Sequence, residues 1–241
     1  MVEQRSEKIL LVTGGCRSGK SEYARRWAES LPPSRLFIAT CPVTDAEIER
    51  RIEAHRQARR EGGWETVEEQ LDLAGVLLRH AHHNVILIDC ITLWVNNLLY
   101  HAGRDGRNVE EAELAEHCRR MLDAAAACHG TVLLVSNEVG MDVVPENPLA
   151  RRYRDLVGRA NQWIAARADA VTLLVCGIPW HLKGLARPLA AGETPAQVPG
   201  LNGAIPAQVP GLNGAIPAQS PGLNGATPAQ VPGLNVNKPS T

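Results

Sequence analysis

Apolar residues along this chain fall in short dense runs separated by longer stretches with helical spacing. Lys8–Thr13, Arg35–Thr40, Val85–Asp89, Thr131–Ser136 and Val171–Cys176 are mostly apolar, the pattern of strands buried on both faces, and Trp64–Val67 reads as a shorter strand. Between them the spacing predicts helices over Ser21–Ser30, Asp45–Arg60, Leu71–His80, Leu93–Tyr100, Val109–Cys128 and Leu149–Ala168. In Asp45–Arg60, Ile48, Ile52 and His55 share one face, and Glu61-Gly62-Gly63 stops the helix. Gly14–Lys20 and His101–Asn108 read as loops. Strands alternating with helices predict an α/β domain with a mostly parallel central sheet. Right-handed crossovers then collect the strand C-termini along one functional edge.

The pattern ends near residue 190. After Glu193 the remaining 48 residues contain 9 Pro and 7 Gly, one charged side chain (Lys238) and no aromatic ring. They are near-copies of Thr194-Pro-Ala-Gln-Val-Pro-Gly-Leu-Asn-Gly-Ala204, with a period of 11. Two prolines per repeat exclude a helix, and the few aliphatic side chains cannot offset the entropy of ordering the backbone. The expectation is a folded domain over 1–190 and a disordered, uncharged tail over 191–241.

Charge narrows the function. Residues 1–193 carry 24 basic and 26 acidic side chains, which gives no electrostatic case for nucleic acid. No run approaches the roughly 18–20 apolar residues of a membrane span. The N-terminus is charged and leads straight into a strand, so no signal peptide is expected. Cys16, Cys41, Cys90, Cys118, Cys128 and Cys176 are scattered without a CxxC pair, which suits reduced thiols in the cytoplasm rather than disulfides or zinc. The histidines other than His55 show no metal-ligand spacing.

The strongest local signal is Gly14-Gly15-Cys16-Arg17-Ser18-Gly19-Lys20-Ser21, a full G-x-x-x-x-G-K-[ST] match between a strand and a helix. Glycines let the backbone wrap a phosphate, and the exposed N–H groups and helix N-terminus present positive charge to it. In such a loop Lys20 reaches the β- and γ-phosphates and the Ser21 hydroxyl ligands Mg²⁺. Asp89, a carboxylate closing an apolar strand, can hold the same Mg²⁺ through water, or simply cap the next helix. The fold expected is therefore a three-layer, RecA-like P-loop NTPase. No N-K-x-D guanine motif occurs, which disfavours a GTPase.

Other stretches agree in order with one family. Thr13–Ser21, Phe37-Ile38-Ala39-Thr40, Arg51-Ile52-Glu53-Ala54-His55-Arg56, Trp64-Glu65-Thr66-Val67-Glu68 and Leu87-Ile88-Asp89-Cys90-Ile91-Thr92 are followed by Ser136-Asn137-Glu138-Val139-Gly140-Met141, Val144-Pro145-Glu146-Asn147 and Arg151-Arg152-Tyr153-Arg154-Asp155. Over about residues 8–183 the chain resembles the bifunctional adenosylcobinamide kinase/adenosylcobinamide-phosphate guanylyltransferase family of cobalamin biosynthesis. The resemblance implies phosphorylation of adenosylcobinamide by ATP or GTP. Transfer of GMP from GTP to that phosphate through a guanylyl-histidine would then give adenosylcobinamide-GDP. It also implies a homo-oligomer, a trimer.

The histidine matching the family's R-I-x-x-H segment is His55. A neutral imidazole is a competent nucleophile near pH 7, and Arg50, Arg51, Arg56, Arg59 and Arg60 surround it with positive charge. Read from the residues alone, His55 fits a structural histidine on the Ile48/Ile52 face at least as well. The resemblance places nucleotide contacts at Gly14–Ser21, at Ala39, Thr40 and Cys41, at Arg56, Gln57, Ala58 and Arg59, and at Glu68 and Asp89. Asn137, Glu138 and Arg152 lie in matching stretches without an assigned role. Cys16, Cys41 and Asp142 depart from the family pattern. Two other readings remain open on the residues: a P-loop kinase of another small alcohol without nucleotidyl transfer, and a regulatory nucleotide-binding protein.

Overall fold

The computed structural model describes residues 8–41, 59, 62–141 and 143–184. The chain divides into two units, Met1–Pro188 and Leu189–Thr241, and every described residue lies in the first. The eleven-residue repeats, His55 with the segment expected to carry it, and Asp142 lie outside the described residues.

Among the described residues seven strands form one sheet: β1 (Ile9–Gly14), β2 (Arg35–Ala39), β3 (Trp64–Glu68), β4 (Val85–Asp89), β5 (Thr131–Val135), β6 (Ala170–Val175) and β7 (Ile178–Lys183), in the order β3-β2-β4-β5-β1-β6-β7. All pairings are parallel except β6 with β7. Helices α1 (Lys20–Glu29), α2 (Leu73–Arg79), α3 (Ile91–Arg104), α4 (Glu111–Ala127) and α5 (Pro148–Arg167) connect them.

Side chains alternate strictly through the central strands. Ile9 and Leu11, Leu36 and Ile38, Ile86 and Ile88, and Val132 and Leu134 point into one core with the apolar faces of α2 to α5. Leu10 and Val12, Phe37, Val85 and Leu87, and Leu133 and Val135 point the other way, against Ala24 and Ala28 of α1. Both faces are therefore covered, which is why these strands read as continuous apolar runs. Local chemistry sets helix starts. Asn147 caps α5, accepting from the Leu149 and Ala150 amides with Pro148 at the first helical position, and Asp72 caps α2 by accepting from the Gly75 amide. Among the described residues no helix is long and apolar enough to cross a membrane.

Two sequence expectations need correction. Ile178–Lys183 is a strand, though the sequence reading ended the sheet at Cys176. Cys176 and Gly177, with φ of 52° and 80°, make the tight reversal that pairs β7 back on β6. Pro179 is tolerated there because β7 is an edge. The helix expected over Leu93–Tyr100 runs on to Arg104, into the supposed loop, because Ala102 still packs into the core at 3% exposure.

Candidate active site

The phosphate loop leaves β1 at Gly14 and enters α1 at Lys20. A Cβ on Gly14 would sit 2.5 Å from the Leu174 carbonyl oxygen and 2.6 Å from Ser18 Oγ, so only glycine fits between β6 and the loop. Arg17 (φ 56°) and Gly19 (φ 90°) are left-handed, and that curls the loop. Gly19 caps α1 without a side chain. The helix's first N–H groups are thus left to an anionic ligand. Lys20 folds back into the loop, its Nζ donating to the Gly15 carbonyl at 3.0 Å. The β6–β7 turn supports this from outside, where the Gly177 amide donates to the Ser18 carbonyl at 3.0 Å. Ser18 Oγ is buried without a hydrogen-bond partner.

Strand order brings Asp89 to the same edge. β5 alone separates β4 from β1, and Asp89 aligns with Val135, which aligns with Val12. Asp89 also aligns with Ala39, and Ala39 with Glu68, so three of the expected residues stand side by side at the carboxyl ends of β4, β2 and β3. Burial pushes the Cys90 thiol above its ordinary range. The Asp89 charge adds to this, while a hydrogen bond from Thr92 and the positive charge of Lys20 oppose it. Cys90 therefore senses both the carboxylate and the ammonium of the site.

Other expected residues are reached differently. Ala39 and Cys41 are half-buried and Glu68 is exposed. Thr40 is fully buried, and its hydroxyl both donates to the Cys90 carbonyl (2.9 Å) and accepts from the Cys90 amide (2.8 Å). Its side chain ties β2 to the end of β4 beneath the edge. Arg59 is also buried, its guanidinium 4.0 Å over the Phe37 ring and its Nε 3.4 Å from Thr66 Oγ1, so these contacts brace β2 and β3. Arg56, Gln57 and Ala58 lie outside the described residues.

Asn137, Glu138 and Arg152 have no role assigned by sequence, and the fold gives each a position. Glu138 Oε1 accepts from the Thr13 hydroxyl (2.7 Å) and from Asn161 Nδ2 (3.3 Å). Asn137 Nδ2 donates to Thr92 Oγ1 at 2.8 Å, and Asn161 also receives the Ser136 hydroxyl at 2.6 Å. This chain of bonds joins β1, β5, α3 and α5 directly below the phosphate loop. Arg152 donates to the Val109 carbonyl (2.6 Å) and to Glu110 (3.0 Å), fixing the start of α4 on α5. Polar residues just past an apolar strand were the available signal, but their partners lie far away in sequence. An open groove of about 650 Å³ runs between α4, α5 and the loop after β5, lined by Glu111, Val144, Arg154, Asp155, Arg159 and Gln162, with no phosphate-loop residue in its wall.

Similarity to known proteins extends over most of the described residues. The family described as cobinamide kinase / cobinamide phosphate guanyltransferase matches residues 10–182. The bifunctional adenosylcobalamin biosynthesis protein CobU of Escherichia coli (strain K12) is 42% identical over 183 residues, covering 73% of this chain and 99% of that protein. CobP of Pseudomonas aeruginosa, of the same description, is 42% identical over 175 residues, 72% of this chain and 96% of its own length. CobU of Salmonella typhimurium is 39% identical over 182 residues, 73% of this chain and 99% of that protein. A KaiC-like protein of Pyrococcus horikoshii OT3, a solved structure, overlaps 69% of this chain and 71% of its own at a TM-score of 0.42 and 16% identity. Matched from β1 into β7, and aligned with these relatives over nearly their whole length, the chain belongs to the cobinamide kinase / cobinamide phosphate guanyltransferase family of transferases.

Proposed function

We propose that this chain performs both family reactions, using the carboxyl edge of its sheet to hold the nucleotide and His55 to carry GMP. The observation that carries this reading is the shared edge of Lys20 and Asp89 around a helix start with no side-chain cap, within a chain of this family. In the first reaction the terminal hydroxyl of adenosylcobinamide attacks the γ-phosphorus of ATP or GTP, the bond to the β-phosphate oxygen breaks to release ADP or GDP, and the hydroxyl proton passes to solvent. Lys20 neutralises charge on the β- and γ-oxygens, and the loop amides hold them in place. A phosphate oxygen also offers an acceptor to the orphaned Ser18 hydroxyl.

In the second reaction an imidazole nitrogen of His55 attacks the α-phosphorus of GTP and pyrophosphate leaves. The phosphate of adenosylcobinamide phosphate then displaces the imidazole to give adenosylcobinamide-GDP. Splitting the transfer into two displacements is the ordinary gain of a covalent nucleophile. Ser21 and Asp89 form an oxygen-only donor set that suits a hard cation, and they would hold the Mg²⁺ that neutralises the triphosphate. Ala39, Cys41 and Glu68 flank the base or ribose, and Arg56 to Arg59 follow the nucleophile. The enzyme works as a cytoplasmic homo-oligomer, a trimer.

The test is incubation with α-³²P-GTP and Mg²⁺, followed by denaturing electrophoresis. We expect an acid-labile, alkali-stable band that His55→Ala abolishes while phosphorylation of adenosylcobinamide from γ-³²P-ATP persists. Labelling that survives His55→Ala sinks the assignment of His55. Absence of any band in wild-type protein shown to bind GTP leaves a kinase without nucleotidyl transfer. Lys20→Ala is expected to lower the kinase step by about 10²–10³-fold, the cost typical of losing one preorganised electrostatic group.

A further inference from the structure

The edge of the sheet opposite the phosphate loop gathers Glu65, His80 and His83. Glu65 lies near the start of β3, His80 ends α2, and His83 precedes β4 in the turn between them. Their ligand atoms all lie within 4.8 Å of one another. These histidines show no metal-ligand spacing in sequence, because the third donor comes from a strand that is distant along the chain.

Glu65 presents one carboxylate oxygen to each imidazole, with His83 Nε2 at 3.1 Å from Oε2 and His80 Nδ1 at 3.5 Å from Oε1. Two ligands about 2.1 Å from one ion at a tetrahedral angle stand roughly 3.4 Å apart, so from separations within 4.8 Å one oxygen of the exposed Glu65 side chain need only turn between the two imidazoles to complete such a site. The other nitrogen of His83, Nδ1, lies 3.0 Å from the His80 carbonyl, which is an acceptor only. A proton on Nδ1 therefore satisfies that bond and leaves the Nε2 lone pair aimed at a carboxylate oxygen. Two electron-rich atoms facing each other are reconciled either by a second proton on Nε2 or by a metal ion held between them. The Nδ1–H···O=C bond is also the outer-shell contact that orients a metal-binding histidine. His83 is 3% exposed and held between this carbonyl and the His82 ring, whose centroid is 4.3 Å away. Its nitrogen is thus fixed in place before any ion arrives. Glu65 is exposed, which leaves a side of the site open to water as a fourth ligand.

We propose that Glu65, His80 and His83 form a binding site for a divalent transition-metal ion of the Zn²⁺ class. Two imidazoles and one carboxylate suit Zn²⁺, whereas Mg²⁺ and Ca²⁺ prefer all-oxygen shells. The ion cross-links β3, whose one sheet neighbour among the described residues is β2, to the turn between α2 and β4. It sits at the amino-terminal edge of the parallel strands, whereas the phosphate loop and Asp89 sit at the carboxyl edge. Its role is to hold the edge of the sheet rather than to take part in phosphoryl transfer, and it does not depend on the proposed function.

The full chain, stripped with a chelator and dialysed against limiting Zn²⁺, is expected to retain one ion per chain by metal analysis. Saturating Zn²⁺ should raise its melting temperature. Co²⁺ in its place should give the visible absorption of a tetrahedral site. Glu65→Gln and His80→Ala, both at positions more exposed than His83, should each weaken Zn²⁺ binding by at least about 100-fold and remove the thermal shift. Wild-type protein that retains no ion, or variants that bind as wild type does, would overturn the proposal and leave Glu65 as a hydrogen-bonded partner of protonated histidine.

Discussion

The hydroxyl of Thr13 donates to Glu138 Oε1 at 2.7 Å across 125 positions of sequence. The Glu138 amide in turn donates to the Gly14 carbonyl at 3.1 Å. Together these bonds clamp the loop after β5 onto the last two residues of β1, immediately before the phosphate loop. Glu138→Ala is expected to cost about 1.5–3 kcal/mol of stability, the usual range for hydrogen bonds to a charged group. Thr13→Val should cost less. The double variant should be non-additive by at least about 0.5 kcal/mol, because both changes remove the same bond. Denaturant melts of the four proteins measure the coupling. Strict additivity would show that the clamp carries no energy.

Two adjacent glycines are expected to behave differently. A methyl group at Gly14 meets the Leu174 carbonyl and Ser18 Oγ inside 3 Å, whereas a Cβ at Gly15 meets nothing within 4 Å. Gly14→Ala should lower the melting temperature and weaken binding of a fluorescent ATP analogue by at least about tenfold, through the shift it forces on the loop. Gly15→Ala should melt as wild type does. Equal melting of both variants would contradict the packing described for β6.

Stability should fall on the alkaline side. Burial pushes the Cys118 thiol up to about 12. Cys90 and Cys128 shift in the same direction, also through burial. An unfolded thiol ionises near about 8.5, so above that pH the unfolded state sheds protons that the folded state keeps. The stabilisation is complete below the unfolded value and declines as pH rises toward the folded one, by up to about 1.4 kcal/mol per pH unit per thiol. Urea midpoints between about pH 8 and about pH 10.5 should show the decline, and Cys118→Ala should reduce its slope. A slope unchanged by Cys118→Ala would exclude this thiol as a source.

Thiol labelling should divide the cysteines by position. Cys16 in the phosphate loop and Cys176 in the adjacent turn are exposed, while Cys90, Cys118 and Cys128 are buried. In the native protein an aromatic disulfide reagent should react with the first two and reach the last three only after unfolding. MgATP should slow modification of Cys16, and modification of Cys16 should block ATP binding. Labelling of Cys16 at an unchanged rate under saturating MgATP would remove the loop from the nucleotide site.

Much of this architecture was legible locally. The apolar runs Arg35–Thr40, Val85–Asp89 and Thr131–Ser136 became β2, β4 and β5 to within a residue at each end, because a strand buried on both faces has no polar position to blur it. The phosphate loop was readable for a similar reason: its chemistry is built from consecutive backbone atoms. β7 was not, since Ile178, Trp180 and Leu182 are exposed and its pairing depends on a reversal at Cys176-Gly177. The bonds of the Thr40 hydroxyl to Cys90 and of Arg59 Nε to Thr66 were not legible either, because their partners lie on other strands.

The sequence by itself determined the alternation of strand and helix, the phosphate loop with Lys20 and Ser21, and membership in a transferase family, because each depends on residues close together along the chain. Strand order was decided only by the tertiary structure. Setting β5 between β1 and β4 brings Asp89 to the loop, puts Glu138 under Thr13 and makes Asn161 the joint of a buried polar chain. Setting β2 between β3 and β4 likewise puts Glu65 where it meets His80 and His83. Such contacts follow from which strands can cover one another's apolar faces while keeping every internal backbone group paired, a condition on the whole sheet that no single segment encodes.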